Sequence, residues 1–369
     1  MSQAQTEDKV LLDAWAELAV YDGTASDLKK KFINRRYQVI GFSLIATIAS
    51  VATALLQNET IAYVVAGFAI ALPLIAAFLM EDTIKFTGTS SWIKYRFIAE
   101  MMRMHIYLYR MGAGVYFDVP PQDANNVLGQ KISEMKTIID MNNVIPKKVS
   151  RPKTVEETKQ AIVRANYYTG DQLAWEKIDD ADEYLNVRLR SSRDWYDAKI
   201  EKDFTSLKRN TRWSQVVLLI GALGTALAGI LGSAIAGFDE LNIQIVSLVA
   251  ITNALSAYFI TRSNIAMTGK TYSLFQIASE KLGDLNIRWN GMADDEYMQT
   301  PETAKEPIAN FVLEVENILL WEREEWYEMA LQSQQAVDQI IIGDLDRLKQ
   351  RADNAQEQTN SPGDGNNTA

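Results

Sequence analysis

Cysteine is absent from this chain of 369 residues, and histidine occurs once, as His105. Without cysteine the chain can form no disulfide, no thiolate nucleophile and no cysteine-ligated metal site. A Ser-His-Asp triad would have to use His105, and no Gly-x-Ser-x-Gly turn accompanies it. The composition therefore argues against an enzyme. It predicts no catalytic residue, no cofactor and no metal site.

Basic charge is also scarce relative to acidic charge, because 37 Lys and Arg stand against 47 Asp and Glu, a net charge of −10. Binding to nucleic acid requires a basic surface that meets the phosphates, so no nucleic acid partner is expected. A basic leader is also missing, since the N-terminal region carries Glu7 and Asp8. We therefore expect no signal peptide.

Four long stretches contain no charged residue, at 39–56, 61–80, 216–238 and 241–260. A helix of about 20 apolar residues crosses a hydrocarbon core about 30 Å thick. The short gaps at 57–60 and 239–240 pair the stretches into two hairpins. The sequence thus predicts four transmembrane helices, with the lipid bilayer as a partner. A soluble protein with four buried helices is the alternative, and the pairing disfavours it.

Positive charge crowds one side of both predicted hairpins, while the two short gaps carry no Lys or Arg. The flanking cations include Lys29, Lys30, Arg35, Arg36, Lys85, Lys199, Lys208, Arg209, Arg212, Arg262 and Lys270. By the positive-inside rule, both termini and the central region face the cytoplasm. We expect a multi-pass protein of the plasma membrane, which is the inner membrane if the cell is a two-membrane bacterium.

Outside the four stretches the apolar residues recur at helical spacing, and no strand-like alternation appears, so the predicted class is all-α. Gly23 to Asp27 predicts a helix break, and one continuous helix is expected from Asp182 into the third stretch. The predicted division is a first unit at 1–145, a linker at 146–153, a second unit at 154–342 and a disordered cytoplasmic tail at 343–369. Both units follow one plan, which suggests tandem duplication.

Aromatic and charged residues flank both hairpins in a pattern that resembles the SLATT group of bacterial two-span membrane domains. In the second half the pattern comprises Tyr184, Arg188, Asp194 to Asp197, Lys199, Glu314 to Glu316 and Glu322 to Trp326. In the first half it comprises Trp15, Tyr21, Phe32 to Tyr37, Trp92, Tyr95, Arg96, Glu100 and Tyr107 to Arg110. The second half also resembles a related bacterial membrane family of unknown function.

This resemblance implies a membrane effector of bacterial defence and conflict systems. The action implied is pore formation or membrane permeabilisation, triggered by partner enzymes that make or sense nucleotides. The resemblance thus suggests a homo-oligomer gated through its cytoplasmic helices, with a cytoplasmic protein as a further partner. A housekeeping ion channel and a non-conducting membrane scaffold remain alternatives. SLATT domains carry a single hairpin, whereas this chain carries two. The number of subunits in SLATT assemblies therefore cannot be transferred to this protein.

Polar residues inside the stretches are the candidates for lining a water-filled path. They are Ser43, Thr47, Ser50 and Thr53 in the first stretch, and Gln244, Ser247, Asn253 and Ser256 in the fourth. The alternative for each is a contact between helices, with the polar group bonded to a neighbour or to its own backbone. For Asn253 the sequence excludes lipid exposure only, because an unbonded amide in hydrocarbon is costly.

Small residues in the third stretch predict close packing of helices, at Gly221, Gly224, Thr225, Gly229 and Gly232. Glu81 and Asp82 follow the second stretch, where carboxylates either concentrate cations at a pore mouth or merely end the span. Five aromatic residues of the charged helices are interpreted as helix contacts, or else as a partner-docking surface. These are Trp195, Tyr196, Trp321, Trp326 and Tyr327.

Overall fold

The computed structural model describes residues 3–56, 58–87, 91–140, 149–164, 181–234, 239–266, 268–293 and 300–360. The helices are α1 Gln3–Leu55, α2 Glu59–Thr87, α3 Ser91–Met111, α4 Pro121–Asp140, α5 Val155–Arg164, α6 Ala181–Tyr184, α7 Ser191–Ala234, α8 Asp239–Ala266, α9 Thr268–Ala293 and α10 Pro301–Asn360. A short 3-10 helix spans Gly114–Tyr116, and a π-helix spans Leu185–Arg190. The described residues contain no strand, which confirms the all-α class.

Helix α1 runs without a break through Gly23 to Asp27, so the predicted interruption there is wrong. Tertiary packing overrides the weak helix propensity of these residues, because Ala25 and Leu28 are buried in the core. Gly23 also has a packing reason, since a Cβ at this position would lie 3.0 Å from a methyl carbon of Val149. The glycine therefore lets the predicted linker, at Val149, lie directly on α1.

The end of the predicted linker is attached to the first unit. The Val149 amide donates to the Thr24 hydroxyl at 3.4 Å, and Arg151 forms an ion pair with Asp13 at 2.9 Å. Residues 141–148, which include the start of that linker, lie outside the described residues. The boundary at 146–153 remains a prediction, but its last residues do not form a free tether.

The second half contains the long helical path that the sequence predicts. Helix α6, the π-helix and α7 follow one another directly from Ala181 to Ala234. Helix α10 continues to Asn360, so the backbone is helical through the first part of the predicted tail at 343–369. Residues 344–360 contain no Pro or Gly and are rich in good helix formers, so the helix passes Gly343. Residues 361–369 lie outside the described residues.

Both halves share one buried core, which we call the head (residues 9–36, 91–140, 181–210 and 270–332). Helix α3 lies at its centre and packs against α1, α4 and α10. Aromatic rings join the halves: Trp92 lies 5.6 Å from Trp326, Phe97 lies 4.9 Å from Tyr327, and Tyr107 lies 6.1 Å from Tyr184. The two predicted units therefore do not form independent cores.

The apolar stretches leave the head as a row of helices, which we call the hairpin layer (residues 39–79 and 214–260). Helix α1 packs against α2 and α8, and α8 packs against α7, so the order across the layer is α2, α1, α8, α7. The same pairs recur in each half, because α1 contacts α2 and α3 as α7 contacts α8 and α9. This repetition agrees with a tandem plan.

Large apolar side chains of the layer are exposed. On α2 they include Tyr63 at 75%, Phe78 at 70%, and Ile70 and Leu74 at 67%. Among the described residues one helix segment, Glu59–Leu79, is long and apolar enough to cross a bilayer, and only 6% of it is buried. The two-hairpin membrane architecture, with its other three spans, thus remains a prediction.

Candidate functional site

The polar candidates of α1 form a strip along one side of this helix. Ser43 and Ser50 are exposed, and Thr47 between them is half-buried. The hydroxyls of Ser43, Thr47 and Thr53 each donate to the carbonyl four residues earlier, at 2.9 to 3.0 Å. Exposed Ile45 and Ile48 lie on the opposite side of α1. The helix thus exposes a polar and an apolar strip, with α2 and α8 packed between them.

On α8 the candidates divide between the helix interface and the surface. Ser247 and Ser256 are buried, and the Ser256 hydroxyl lies 2.7 Å from that of Ser214 on α7. For these two serines the structure favours the helix-contact alternative over pore lining, because neighbouring helices cover them. Asn253 is exposed. Gln244 belongs to α8, but its side chain lies outside the described residues.

Helices α7 and α8 approach each other closely at Gly221. A Cβ at Gly221 would lie 2.5 Å from the Thr252 hydroxyl oxygen. Gly224 is also buried, and the Thr225 hydroxyl donates to the Gly221 carbonyl at 2.9 Å. Gly229 and Gly232 belong to α7, while Glu81 and Asp82 belong to α2. The surroundings of these four residues lie outside the described part of the chain.

Replacing Gly221 by alanine should lower the stability of the protein by about 1–3 kcal/mol, because the new methyl group overpacks the interface. Thermal unfolding of the detergent-solubilised protein measures this loss. The matched control is Gly67→Ala, where nothing lies within 4 Å and no loss is expected. The double variant Gly221→Ala/Thr252→Ala should recover stability. An unchanged melting temperature for Gly221→Ala alone would refute the close approach.

The hydroxyl strip of α1 and Asn253 of α8 lie on the same side of the hairpin layer. The guanidinium of Arg262 lies 6.0 Å from the ring centre of Tyr37, which aligns these two helices. The two helices run in opposite directions. Thr47, ten residues after Tyr37 on α1, therefore lies level with residue 252, ten residues before Arg262 on α8. Advancing by about 100° per residue around each helix then places Thr47 and Asn253 on one side.

Helix α7 continues this division of the layer into two sides. The same geometry places exposed Gln215 and Thr225 of α7 on the side of Asn253. Trp213, Val216 and Leu227 are exposed on the other side, together with Leu248 of α8. We call the two sides the polar side and the apolar side. The polar side is the one that carries Ser43, Thr47, Ser50, Gln215, Thr225 and Asn253. It also exposes the apolar residues Leu218 and Ile260, so the two sides differ in where the exposed polar groups lie.

The head contains a buried ion pair between the start of α7's helical path and α10. Arg188 binds Glu316 through two hydrogen bonds of 2.7 Å, and the Tyr184 hydroxyl donates to the same carboxylate at 3.0 Å. The Arg188 guanidinium also lies 4.7 Å from the ring centre of Tyr107 on α3. Burial lowers the pKa of Arg188, but the charge of Glu316 outweighs it and holds the pKa above its usual value.

Arg188 lies within the π-helix, Leu185–Arg190, where the helical turn is wider than in an α-helix. This wider turn places Arg188 in the network. Such turns are rare and frequently occur at functional positions. No pattern in the sequence predicts this turn. The aromatic and charged pattern shared with SLATT domains nevertheless contains Tyr184, Arg188 and Glu316, so the resemblance pointed to the network without revealing its pairing.

A second cluster surrounds Glu100 of α3. Its carboxylate pairs with Arg96 at 2.7 Å and Arg103 at 2.8 Å, and Arg323 of α10 also contacts it. Arg96 further contacts Asp22 of α1. Burial, together with the nearby charge of Arg96, lowers the pKa of Arg323 to about 9. The cluster therefore joins α1, α3 and α10 by charge, as the aromatic pairs join them by packing.

Glu322 lies beside this cluster and accepts a hydrogen bond of 2.9 Å from the Tyr196 hydroxyl. Burial raises the pKa of Glu322 to about 7, although Tyr196 and Arg96 act in the opposite direction. The pKa of Tyr196 is raised well above its usual value, mainly by burial, so its hydroxyl remains a donor. Glu322 is thus a buried carboxyl whose pKa lies well above its usual value.

The remaining candidates of the head are contact residues. His105 is buried against the Tyr116 hydroxyl at 3.1 Å, and burial lowers its pKa to about 4, so it is neutral. Tyr196, Trp326 and Tyr327 contact other helices, and Trp321 lies under the Lys281 ammonium at 3.7 Å. Trp195 is half exposed beside Phe275. Within the described ranges no group of three metal-ligating side chains occurs.

Comparison with known families assigns each half separately. Residues 184–326 match the family described as SMODS and SLOG-associating 2TM effector domain 1, or SLATT_1. Residues 18–124 match a family described as protein of unknown function, DUF4231. Both resemblances seen in the sequence are confirmed, with the family of unknown function on the first half rather than the second. No curated protein and no solved structure matches the chain.

The SLATT match covers α6, the π-helix, α7, α8, α9 and the first part of α10. Residues 184–326, which we call the SLATT-type segment, are therefore similar to a family described as a two-span effector domain, and this similarity implies association with a membrane. The buried residues Tyr184, Arg188, Tyr196, Glu316 and Glu322 all lie inside the matched range. The network is thus part of the SLATT-type segment and reaches from it into the first half through Tyr107 and Glu100.

Proposed function

We propose that the protein is a multi-pass membrane effector whose copies assemble around an ion path lined by the polar side of the hairpin layer. The observation that carries this proposal is that the exposed residues Ser43, Ser50 and Asn253 lie on one side of the layer, although apolar residues are exposed on both sides. A layer in lipid alone would have no reason to collect Ser43, Ser50 and Asn253 on one side. An exposed amide at mid-span requires water or a protein partner.

A row of four helices also favours assembly into a ring. Helices α2 and α7 form the edges of the row, and their apolar side chains are exposed. Copies joined edge to edge would turn their apolar sides to lipid and enclose the polar sides. Such an arrangement needs no large outer domain, which agrees with the few residues between α1 and α2 and between α7 and α8.

Two continuous helices support gating from the head. Helix α1 carries Trp15 and Tyr21 of the core as well as Ser43 and Ser50 of the polar side. The helical path from Ala181 carries Arg188 of the buried pair and Gln215 of the layer. A shift of the head core therefore moves the spans directly. The family description, which names SMODS and SLOG association, suggests a nucleotide-signalled defence partner as the trigger.

The absence of cysteine permits a direct test of the polar side. Single cysteines are placed at Thr47 and Asn253, and matched controls at Ile48 and Leu248 on the apolar side. Ion flux from liposomes is measured before and after a membrane-impermeant thiol reagent. Modification at Thr47→Cys and Asn253→Cys should lower the flux by about tenfold or more, since a bulky charged group would narrow the path.

Modification of the two control variants should leave the flux unchanged, because lipid shields their thiols from the reagent. Equal effects at all four positions would contradict the assignment of the polar side. Liposomes that show no flux at all, with correctly inserted protein, would favour the non-conducting scaffold. Growth of cells that express the active protein separates an effector, which arrests growth, from a housekeeping channel.

A further inference from the structure

A basic and aromatic groove lies on α7 at the point where this helix enters the hairpin layer. Its cavity has a volume of about 540 Å³. The residues around it are Phe204, Thr205, Lys208, Arg209, Arg212, Trp213 and Val216. No carboxylate lines the groove, although acidic residues outnumber basic ones in the chain as a whole.

The cations of the groove are available for a ligand. No ion pair among the described residues involves Lys208, Arg209 or Arg212, whereas the nearby Lys199 pairs with Asp203. The Lys208 ammonium lies 5.9 Å from the ring centre of Phe204, which in turn packs 5.7 Å from Tyr272 of α9. The aromatic pair therefore holds one wall of the groove in place.

The groove lies on the apolar side of α7, which the proposed arrangement turns toward lipid. Arg209, Arg212, Trp213 and Val216 follow the i, i+3, i+4, i+7 spacing of one helix face. The interface with α8 uses the buried residues Asn210, Ser214 and Gly221 instead. Exposed Ile220 extends the same face further along the apolar stretch. The face thus passes from cations to an aromatic ring and then to aliphatic side chains.

These chemical zones match the layers of a bilayer in depth. The helix rises about 1.5 Å per residue, so Arg212 lies about 6 Å and Arg209 about 10 Å before Val216. The headgroup region beyond the hydrocarbon core is about 5–8 Å thick on each side. Arg212 therefore lies within it, and Arg209 lies just beyond it, where its long side chain can reach back toward the phosphates. Tryptophan prefers the boundary between these regions, which is the position of Trp213.

We infer that this groove binds an anionic phospholipid, with the headgroup phosphate on Arg209 and Arg212 and an acyl chain along Val216 and Ile220. Charge complementarity and the continuous apolar face select a lipid over a free anion, since a free anion would gain nothing from Trp213 or Val216. The inference rests on the membrane insertion of α7 but not on ion conduction. A lipid in this position would fix the depth and tilt of α7.

Binding is tested by native mass spectrometry of the full-length protein in neutral detergent, titrated with phosphatidylglycerol or phosphatidylcholine. The variant Arg209→Gln/Arg212→Gln removes two cations of the groove. The matched control Lys202→Gln/Lys270→Gln removes two exposed cations outside it. Loss of one cation near an anionic surface weakens binding about fivefold. The groove variant should therefore bind phosphatidylglycerol about 25-fold more weakly, and the control nearly as the wild type does.

If both variants bind phosphatidylglycerol equally more weakly, the effect comes from general surface charge and the inference is overturned. It is also overturned if neither variant binds more weakly than the wild type. Displacement of the lipid by an equal concentration of inorganic phosphate would show a phosphate site and would also overturn it. Ion flux is measured separately in phosphatidylcholine liposomes. Wild-type protein that binds phosphatidylglycerol but conducts no ions would refute the proposed function alone. Wild-type protein that conducts ions but does not bind phosphatidylglycerol would refute the lipid site alone.

Discussion

Replacing Glu316 by leucine is expected to lower the free energy of unfolding by about 3–5 kcal/mol, because Arg188 keeps its charge in the core without a partner. The carboxylate of Glu316 is fully buried, and the guanidinium side chain of Arg188 is 6% exposed. Tyr184 loses its acceptor in the same change. The measurement is thermal or denaturant unfolding of the detergent-solubilised protein, followed by the signal of the head aromatics.

The chain offers a matched control two residues earlier on the same helix. Glu314 also binds an arginine through both oxygens, but this pair with Arg288 is about half exposed. An exposed pair is worth at most about 1 kcal/mol, so Glu314→Leu should have little effect. The double variant Arg188→Met/Glu316→Leu should regain most of the lost stability. Equal losses for Glu314→Leu and Glu316→Leu would contradict the role of burial.

Replacing Glu322 by glutamine is expected to stabilise the protein at pH 8 by about 3 kcal/mol and to change little at pH 4.5. The folded pKa of about 7 exceeds the ordinary value of 4.5, so the wild type is most stable when Glu322 is protonated. That contribution is complete below pH 4.5 and is lost as the pH rises through 7. Glutamine stays neutral and can still accept the hydrogen bond from Tyr196.

The observable is the difference in melting temperature between variant and wild type across this pH range, which should grow as the pH rises. Arg96, Arg323 and Tyr196 face Glu322 and remain unchanged in the comparison. The exposed residue Glu324 provides the control, because replacing a surface side chain by glutamine should change the melting temperature little. If the difference in melting temperature becomes smaller toward pH 8, the ionised form of Glu322 stabilises the fold and the prediction is wrong.

The sequence identified many residues of the candidate site but did not predict which of them contact each other. Arg188 and Glu316 both belong to the pattern that resembles SLATT domains, yet they are 128 positions apart along the chain. No local rule pairs residues at that separation. The π-helix that places Arg188 also has no local signal, because its sequence is compatible with an ordinary α-helix.

For the polar residues of the four uncharged stretches, the sequence also did not predict which ones are exposed and which are buried. Ser43 and Asn253 were both candidates for a water-filled path, and both are exposed on one side of the layer. Ser247 and Ser256 had the same chemistry and spacing, yet α7 and other neighbours cover them. The difference is the direction in which each residue faces, and that direction depends on how the helices dock.

The sequence by itself determined the helical class, the four uncharged stretches and their pairing, because these follow from composition and periodicity along the chain. Only the tertiary structure decided that both halves share one head and that the layer has a polar side. The physical reason is that rotation and contact of helices depend on the sum of many distant side-chain interactions. Local propensity sets which segments are helices, and packing sets which way each helix faces.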